Sequence, residues 1–332
     1  MILSRAPLRV SFIGGGSDYP EFFSSSEGTV VGTALRLYSH CTISNLAENA
    51  PENFRISYRQ VESVECIDEI ENSIVRELLY SLNWAKRISI STFADMPVRS
   101  GLGGSSAFTV ALYVALEKYR GNSLDSRKCA EVAVEIERDR VLDPGGFQDQ
   151  YFSAYGSLRA INFNENHIEV SNPLLSDVVL DELEKLFYLI PLGVLRDWST
   201  ADFTRKSIEN NLESVKFIEK SANLARTLIQ EIQNLEDVGE ISTQIGEALT
   251  ISNQLKSNYT IFPPNLERKL NELLNYGATG AKICGAGAGG YIFCIVPEHK
   301  QKYFEQKIGD KIYVKPGIDR TGVSIATIDW VP

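Results

Sequence analysis

Apolar and polar positions alternate along residues 2–13 and again along 86–93, which predicts two strands. Residues 30–43 are rich in β-branched and aromatic side chains and predict a third. Residues 54–66 read as a hairpin or two short strands. Within 67–83, Ile70, Ile74, Leu78 and Leu82 recur at helical spacing. Helices are expected at 105–120 and 124–138, and a shorter one starts near Gln148. Residues 156–163 and 168–170 return to strand.

The second half is richer in helix. Residues 186–192 form a buried-type strand. Residues 199–235 carry one long helical pattern through Ile208, Leu212, Val215, Ile218, Ala222, Ala225, Ile229 and Ile232. Another helix covers 241–255. Pro263 and Pro264 start one that runs to Tyr276, with Gly277 as its C-cap. Strands at 281–284 and 291–296 flank a glycine loop, and a helix at 298–308 precedes strands at 311–315 and 322–330. No regular βαβ alternation is present, so the expected class is α+β, with a boundary near 160–180.

Composition narrows the function classes. With 332 residues and 43% hydrophobic content, the chain can bury one large or two moderate cores. Its net charge of −10 argues against nucleic acid or an anionic membrane as partner, although a few local Arg and Lys can still hold an anion. Five scattered cysteines without a CxxC pair read as reduced thiols, and three histidines lack metal-site spacing. The start MILSRAPLRVSF has no signal-peptide core and no apolar run reaches membrane-spanning length, so the expected compartment is the cytoplasm. Nothing in the sequence supports an oligomer.

Candidate chemistry lies in four clusters. The run PVRSGLGGSSA at 97–107 sits between a predicted strand and a predicted helix. Bare amides at such a helix start collect an anion, and Ser105 and Ser106 add donors or a metal ligand. No Gly-Lys-Ser/Thr follows, so this is not a Walker loop. The run GAKICGAGAGG at 280–290 fits GxGxxG, but a strand follows it, so the dinucleotide reading falls. A loop whose backbone approaches another loop or a phosphate fits better. The run RAPLRVSFIGGGSDY places Arg9 on a strand and Asp18 in a turn. The segment EIERD at 135–139 and PGGFQDQ at 144–150 supplies Glu137 and Asp149. One of these acids could hold a metal and the other take a proton. Taken singly, the last two clusters read better as solvated charge, an Asx turn and a helix N-cap than as a site.

Taken together, the glycine clusters and RAPLRVSFIGGGSDYPEF resemble the GHMP small-molecule kinases, the superfamily of galactokinase, homoserine kinase and mevalonate kinase. The chain resembles all three superfamily motifs, in order, over nearly its whole length. GGGSD after RAPLR, and GGFQDQY, are similar to the sugar 1-kinase branch, its heptose 7-phosphate members above all. The resemblance implies a lobe like ribosomal protein S5 domain 2 at 1–165 and a ferredoxin-like lobe at 166–332, with the site between them. It implies ATP phosphates on Gly101, Leu102, Gly103, Gly104, Ser105 and Ser106, and Mg²⁺ on Ser106 and Glu137. Asp149 would be the base for the accepting sugar hydroxyl, and Arg9 would help polarise it. Gly16, Ser17, Asp18, Gly287 and Arg196 would face the sugar phosphate. Near Arg196 the branch is expected to read Gly-x-x-Arg-x-Ala; this chain keeps Gly193 and Arg196 but carries Trp198 in place of Ala.

The implied activity is ATP- and Mg²⁺-dependent phosphorylation of an anomeric hydroxyl, with heptose 7-phosphate as acceptor. A kinase for another sugar such as fucose is the rival within the class. A sugar- and ATP-binding sensor without catalysis is the rival outside it, and the presence of Asp149, Glu137, Ser106 and Arg9 argues against it.

Overall fold

The computed structural model describes all residues except 124, 194–198, 288, 310–312 and 329–332. The first sheet begins with β1 (Ile2–Ile13), β2 (Gly28–Asn45), β3 (Phe54–Ser57), β4 (Val61–Val64) and β5 (Ile88–Ala94). β6 (Leu158–Phe163) also pairs with β2, and β7 (Ile168–Val170) pairs with β6. The second sheet holds β8 (Phe187–Pro191), β9 (Gly280–Ile283) and β10 (Tyr291–Ile295), with β10 in the middle and all pairs antiparallel. A last strand, β11 (Ser324–Thr327), returns to the first sheet and pairs with β1.

Three helices, α1 (Pro20–Phe23), α2 (Ser73–Ser81) and α3 (Gly104–Tyr119), precede α4 (Ser126–Val134) and α5 (Gln148–Tyr155). α6 (Asp177–Leu183), α7 (Ser199–Asn210), α8 (Leu212–Ile232) and α9 (Val238–Lys256) follow, then α10 (Leu266–Asn275) and α11 (Glu298–Ile308). α3 is apolar nearly all round, because it lies over β1 and β2 beneath other helices.

Phe12 at the end of β1 stacks on Phe293 of β10 at 5.9 Å and meets Phe187 of β8 edge-on at 6.4 Å. One core therefore runs from the first sheet into the inner face of the second. Tyr188, Ile190, Ile292 and Phe304 form a separate core on that sheet's other face, under α10 and α11. Both faces of β8 are buried, which explains why its sequence is a continuous apolar run.

The mixed fold expected from the pattern is present, with three differences. The single helical pattern at 199–235 is two helices: the Asn211 side chain accepts from the N–H groups of Glu213 and Ser214 and starts α8 afresh. The helix at 124–138 ends as α4 and continues as a π-helical turn, Glu135–Arg140, which carries Glu137. α6 was not expected; Ser176 caps it. The strand at 311–315 falls partly outside the described residues, and Val314 bridges Leu189.

Candidate active site

β1 carries Arg9 beneath the glycine loop that precedes α3. The Arg9 N–H donates to the Leu102 carbonyl at 2.9 Å, and one guanidinium nitrogen donates to the Gly101 carbonyl at 2.7 Å. The guanidinium also holds Asp149 in the first turn of α5, with Nε 2.6 Å from Oδ1 and a second contact to Oδ2. Arg9 is 4% exposed, so it is not a solvated strand residue. The N-cap of α5 is Phe147, and the Asp149 side chain turns to Arg9 rather than capping the helix.

This pair lies against the start of α3. A side chain on Gly103 would come within 3.2 Å of both Arg9 and Asp149. Gly103 is the left-handed N-cap of α3, and no side chain caps the helix there. Gly104 and Ser105 are exposed. The amides that open α3 therefore face outward next to a carboxylate and a guanidinium, an arrangement suited to a phosphate.

Ser106 lies one residue deeper. Its hydroxyl donates to Glu137 at 2.8 Å; Thr109 donates to the same carboxylate at 2.5 Å and the Gln150 amide at 2.6 Å. Glu137 is buried, with no basic side chain hydrogen-bonded to it among the described residues. Burial pushes its carboxyl up to about 7 against the pull of these three donors. A buried carboxylate beside a hydroxyl is a hard-oxygen donor set that fits Mg²⁺, with nucleotide phosphates supplying further oxygens. Among the described residues no group of three His, Cys, Asp or Glu side chains forms a metal site by itself.

Asp18 follows β1 in the turn at 14–18. Its Oδ1 accepts from the Gly16 N–H at 2.9 Å, and its Oδ2 from the Gln148 side-chain amide at 3.0 Å. Burial, then the nearby Asp149 charge, raises its carboxyl. A side chain on Gly146 would strike the Asp18 carboxylate, so the Gly-Gly turn before α5 lets the two acids approach. The Ser17 hydroxyl donates to the Gly14 carbonyl at 2.7 Å and stabilises the turn. Tyr259, beyond α9, donates to the Gly15 carbonyl at 2.8 Å.

Gly285 and Gly290 pack backbone to backbone against the glycine loop before α3, the close approach that their sequence leads one to expect. A side chain on Gly101 would stand 2.7 Å from the Cys284 carbonyl, and one on Gly290 would drive into the Ser100 carbonyl. Gly290 also has φ +93°. Gly290→Ala is therefore expected to destabilise the fold by about 2–4 kcal/mol, read as a lower Tm. An unchanged Tm would show that the two loops do not need this contact. Gly287 faces Phe262. Arg196 and Trp198 lie outside the described residues.

The structure thus brings Arg9, Asp149, the 101–106 loop, Ser106 and Glu137 into one place, with Asp18 adjoining. Sequence reasoning missed Thr109, Gln148, Gln150, Tyr259 and Lys282. Thr109 was readable, since it follows Ser106 by three positions on one helix face. Tyr259 gives no local signal. Lys282 was visible as a lone charge in an apolar strand. The five cysteines, all among the described residues, are unpaired. No described helix is long and apolar enough to cross a membrane.

Comparison with known proteins bears on the family and the fold. The GHMP kinases N terminal domain matches residues 67–157, and the GHMP kinases C terminal domain matches 225–312. The chain is 28% identical over 318 residues to D-glycero-alpha-D-manno-heptose 7-phosphate kinase of Campylobacter jejuni, covering 90% of this chain and 91% of that one. It is 23% identical to galactokinase of Pyrococcus furiosus, covering 94% and 92%. Among solved structures, a D-glycero-D-manno-heptose 1-phosphate kinase from Bacteroides thetaiotaomicron superposes with a TM-score of 0.78 at 20% identity, covering 99% and 100%. Galactokinase of Lactococcus lactis with galactose gives 0.74 at 14%, covering 98% and 95%.

Proposed function

The chain belongs to the GHMP kinase family and is a sugar kinase, and on that premise we propose that it moves the γ-phosphoryl group of ATP to the anomeric hydroxyl of D-glycero-D-manno-heptose 7-phosphate. The product is the 1,7-bisphosphate. The observation that carries this reading is the buried Arg9 paired with the half-buried Asp149 and set against the uncapped start of α3. The likeness to a heptose 7-phosphate kinase over nine-tenths of the chain supports the acceptor.

Residues 1–165 form the nucleotide lobe in this account and 166–332 the second lobe, with β7 and β11 joining the first sheet. The amides of the 101–106 loop and the Ser105 hydroxyl take the nucleotide phosphates. Ser106 and Glu137 would hold Mg²⁺, which when bound would neutralise phosphate charge. The sugar oxygen attacks the γ-phosphorus, the bond to the bridging oxygen breaks, and ADP leaves. Asp149 Oδ2 takes the hydroxyl proton. Arg9 holds that carboxylate in line and lends positive charge beside the reacting oxygens.

Asp18 holds the sugar-side turn and accepts from sugar hydroxyls with the lone pairs that Gly16 and Gln148 leave. Asp18→Asn is expected to raise the sugar KM by on the order of 10-fold or more with the nucleotide KM little changed. The opposite split would assign the turn to ATP. Arg196 is the proposed counter-charge for the 7-phosphate. The reading is tested by ADP release with Mg-ATP and a panel of sugars and sugar phosphates. Heptose 7-phosphate should exceed free heptose strongly in kcat/KM; equal values would remove the 7-phosphate and leave a broader sugar 1-kinase.

A further inference from the structure

Lys282 stands on β9 between Ala281 and Ile283 and is 4% exposed. A buried ammonium is costly unless its donors are met. Its Nζ donates to the Ser11 carbonyl at 2.7 Å and lies 3.4 Å from both the Ser11 hydroxyl and the Phe12 carbonyl. Among the described residues no carboxylate is hydrogen-bonded to it. These partners belong to the last residues of β1, after Arg9 and before the turn at 14–18. β9 in turn leads into the loop at 285–290, which abuts Ser100 and Gly101. One side chain therefore joins the strand bearing Arg9 and the sugar-side turn to the strand bearing the loop behind the phosphate site.

The charged and titratable groups facing it are Arg9 from β1, Asp18 from the turn after β1 and Cys284 from its own strand. From α9 comes the neutral amide of Asn253, which donates to the Ala281 carbonyl at 3.2 Å; from β10, Phe293 stands opposite Lys282 in register. Burial pushes the ammonium down to about 8, and Arg9 pushes the same way. The mechanism above makes no use of this group.

We propose that Lys282 is a positioning residue whose ammonium clamps the end of β1 to β9 and so sets the sugar-side turn against the phosphate loop. Its catalytic consequence rests on the sugar-kinase reading; the clamp itself does not. Protonated, the group offers three donors to the β1 oxygens. Deprotonated, it offers two and turns a lone pair on them, so the clamp loosens as pH rises past about 8.

The test combines hydrogen exchange by mass spectrometry with steady-state kinetics on the full chain, for the unsubstituted protein, Lys282→Met and Lys282→Arg. In Lys282→Met, exchange in peptides spanning 11–19 and 284–291 should quicken roughly tenfold, with the rest of the chain unchanged. Its sugar KM should rise roughly tenfold while the ATP KM stays within about twofold, and Lys282→Arg should recover part of both. The unsubstituted protein should show the same two peptides loosening between pH 7 and pH 9 after correction for intrinsic exchange, a readout that needs no variant to fold. Unchanged exchange in those peptides, or a rise spread over the whole chain with both KM values moving together, would overturn the clamp. Absence of sugar-dependent ADP release in the unsubstituted protein would instead refute the kinase reading, with exchange still deciding the clamp.

Discussion

Asp149→Asn is expected to fold, to bind Mg-ATP with nearly unchanged affinity, and to lose sugar phosphorylation by at least ~10²-fold in kcat. The carboxylate is half of a two-contact pair with Arg9 and lies beside Gly103, where the phosphates are proposed to sit. Asparagine keeps the shape and its oxygen can still accept from Arg9 Nε, while its amide nitrogen meets the second guanidinium nitrogen donor to donor, so one of the two contacts is lost. Proton uptake is lost, because the amide is no base. The loss should fall on kcat, since the proton moves only as the phosphoryl group does. Calorimetry of nucleotide binding beside the kinetics separates the two effects. A near-normal kcat would take Asp149 out of the chemistry and leave it an ion-pair partner for a buried arginine.

Glu137→Gln should have the second large effect, in two opposite senses. The magnesium concentration for half-maximal rate should rise roughly tenfold or more, because one of the two proposed protein oxygen ligands becomes a neutral amide. Without magnesium, the variant should be the more stable protein at alkaline pH. The sign follows from the raised carboxyl. Folding binds the proton more tightly, so stability is highest below the unfolded value of 4.5 and is lost as pH climbs through about 7. Removing the charge spares that loss, up to about 3 kcal/mol at pH 8 and little at pH 5. The neutral amide can be satisfied: the Ser106 and Thr109 hydroxyls rotate, and the Gln150 Oε1, buried and unpartnered, can accept from it. Melting curves at pH 5 and pH 8 with EDTA, and magnesium titrations of the rate, check both halves. A lower Tm at pH 8 with an unchanged magnesium curve would make Glu137 a structural acid.

How much of this could be read from the chain depends on where each cause lies. The glycine loop before α3 was legible because its signal is local: a strand, glycines, two serines and a helix in consecutive residues. The strand after Gly290 was equally local and disposed of the dinucleotide reading. The break at Asn211 was not, because the apolar spacing runs on through both helices and only the cap shows where one ends. Arg9 and Asp149 are 140 residues apart, and each alone reads as surface charge. Family resemblance, not spacing, joined them. Thr109 and Gln150 around Glu137 depend on the π-helical turn, whose geometry no periodicity announces. Lys282 shows the other case. Its oddity, a charge in an apolar strand, was in plain view, but its partners on β1 appear only once Phe12 and Phe293 have brought the two sheets together.

This site is proposed to phosphorylate a sugar at its anomeric oxygen, with Asp149 and Arg9 at the reacting atoms. The direct measurement is ³¹P and ¹H NMR of the protein with Mg-ATP and heptose 7-phosphate. The account predicts that ADP appears together with a new phosphate resonance coupled to the anomeric proton, in equal amounts, and that Asp149→Asn abolishes both. Phosphate coupled to any other ring proton, or ADP formed without a sugar product, would contradict it.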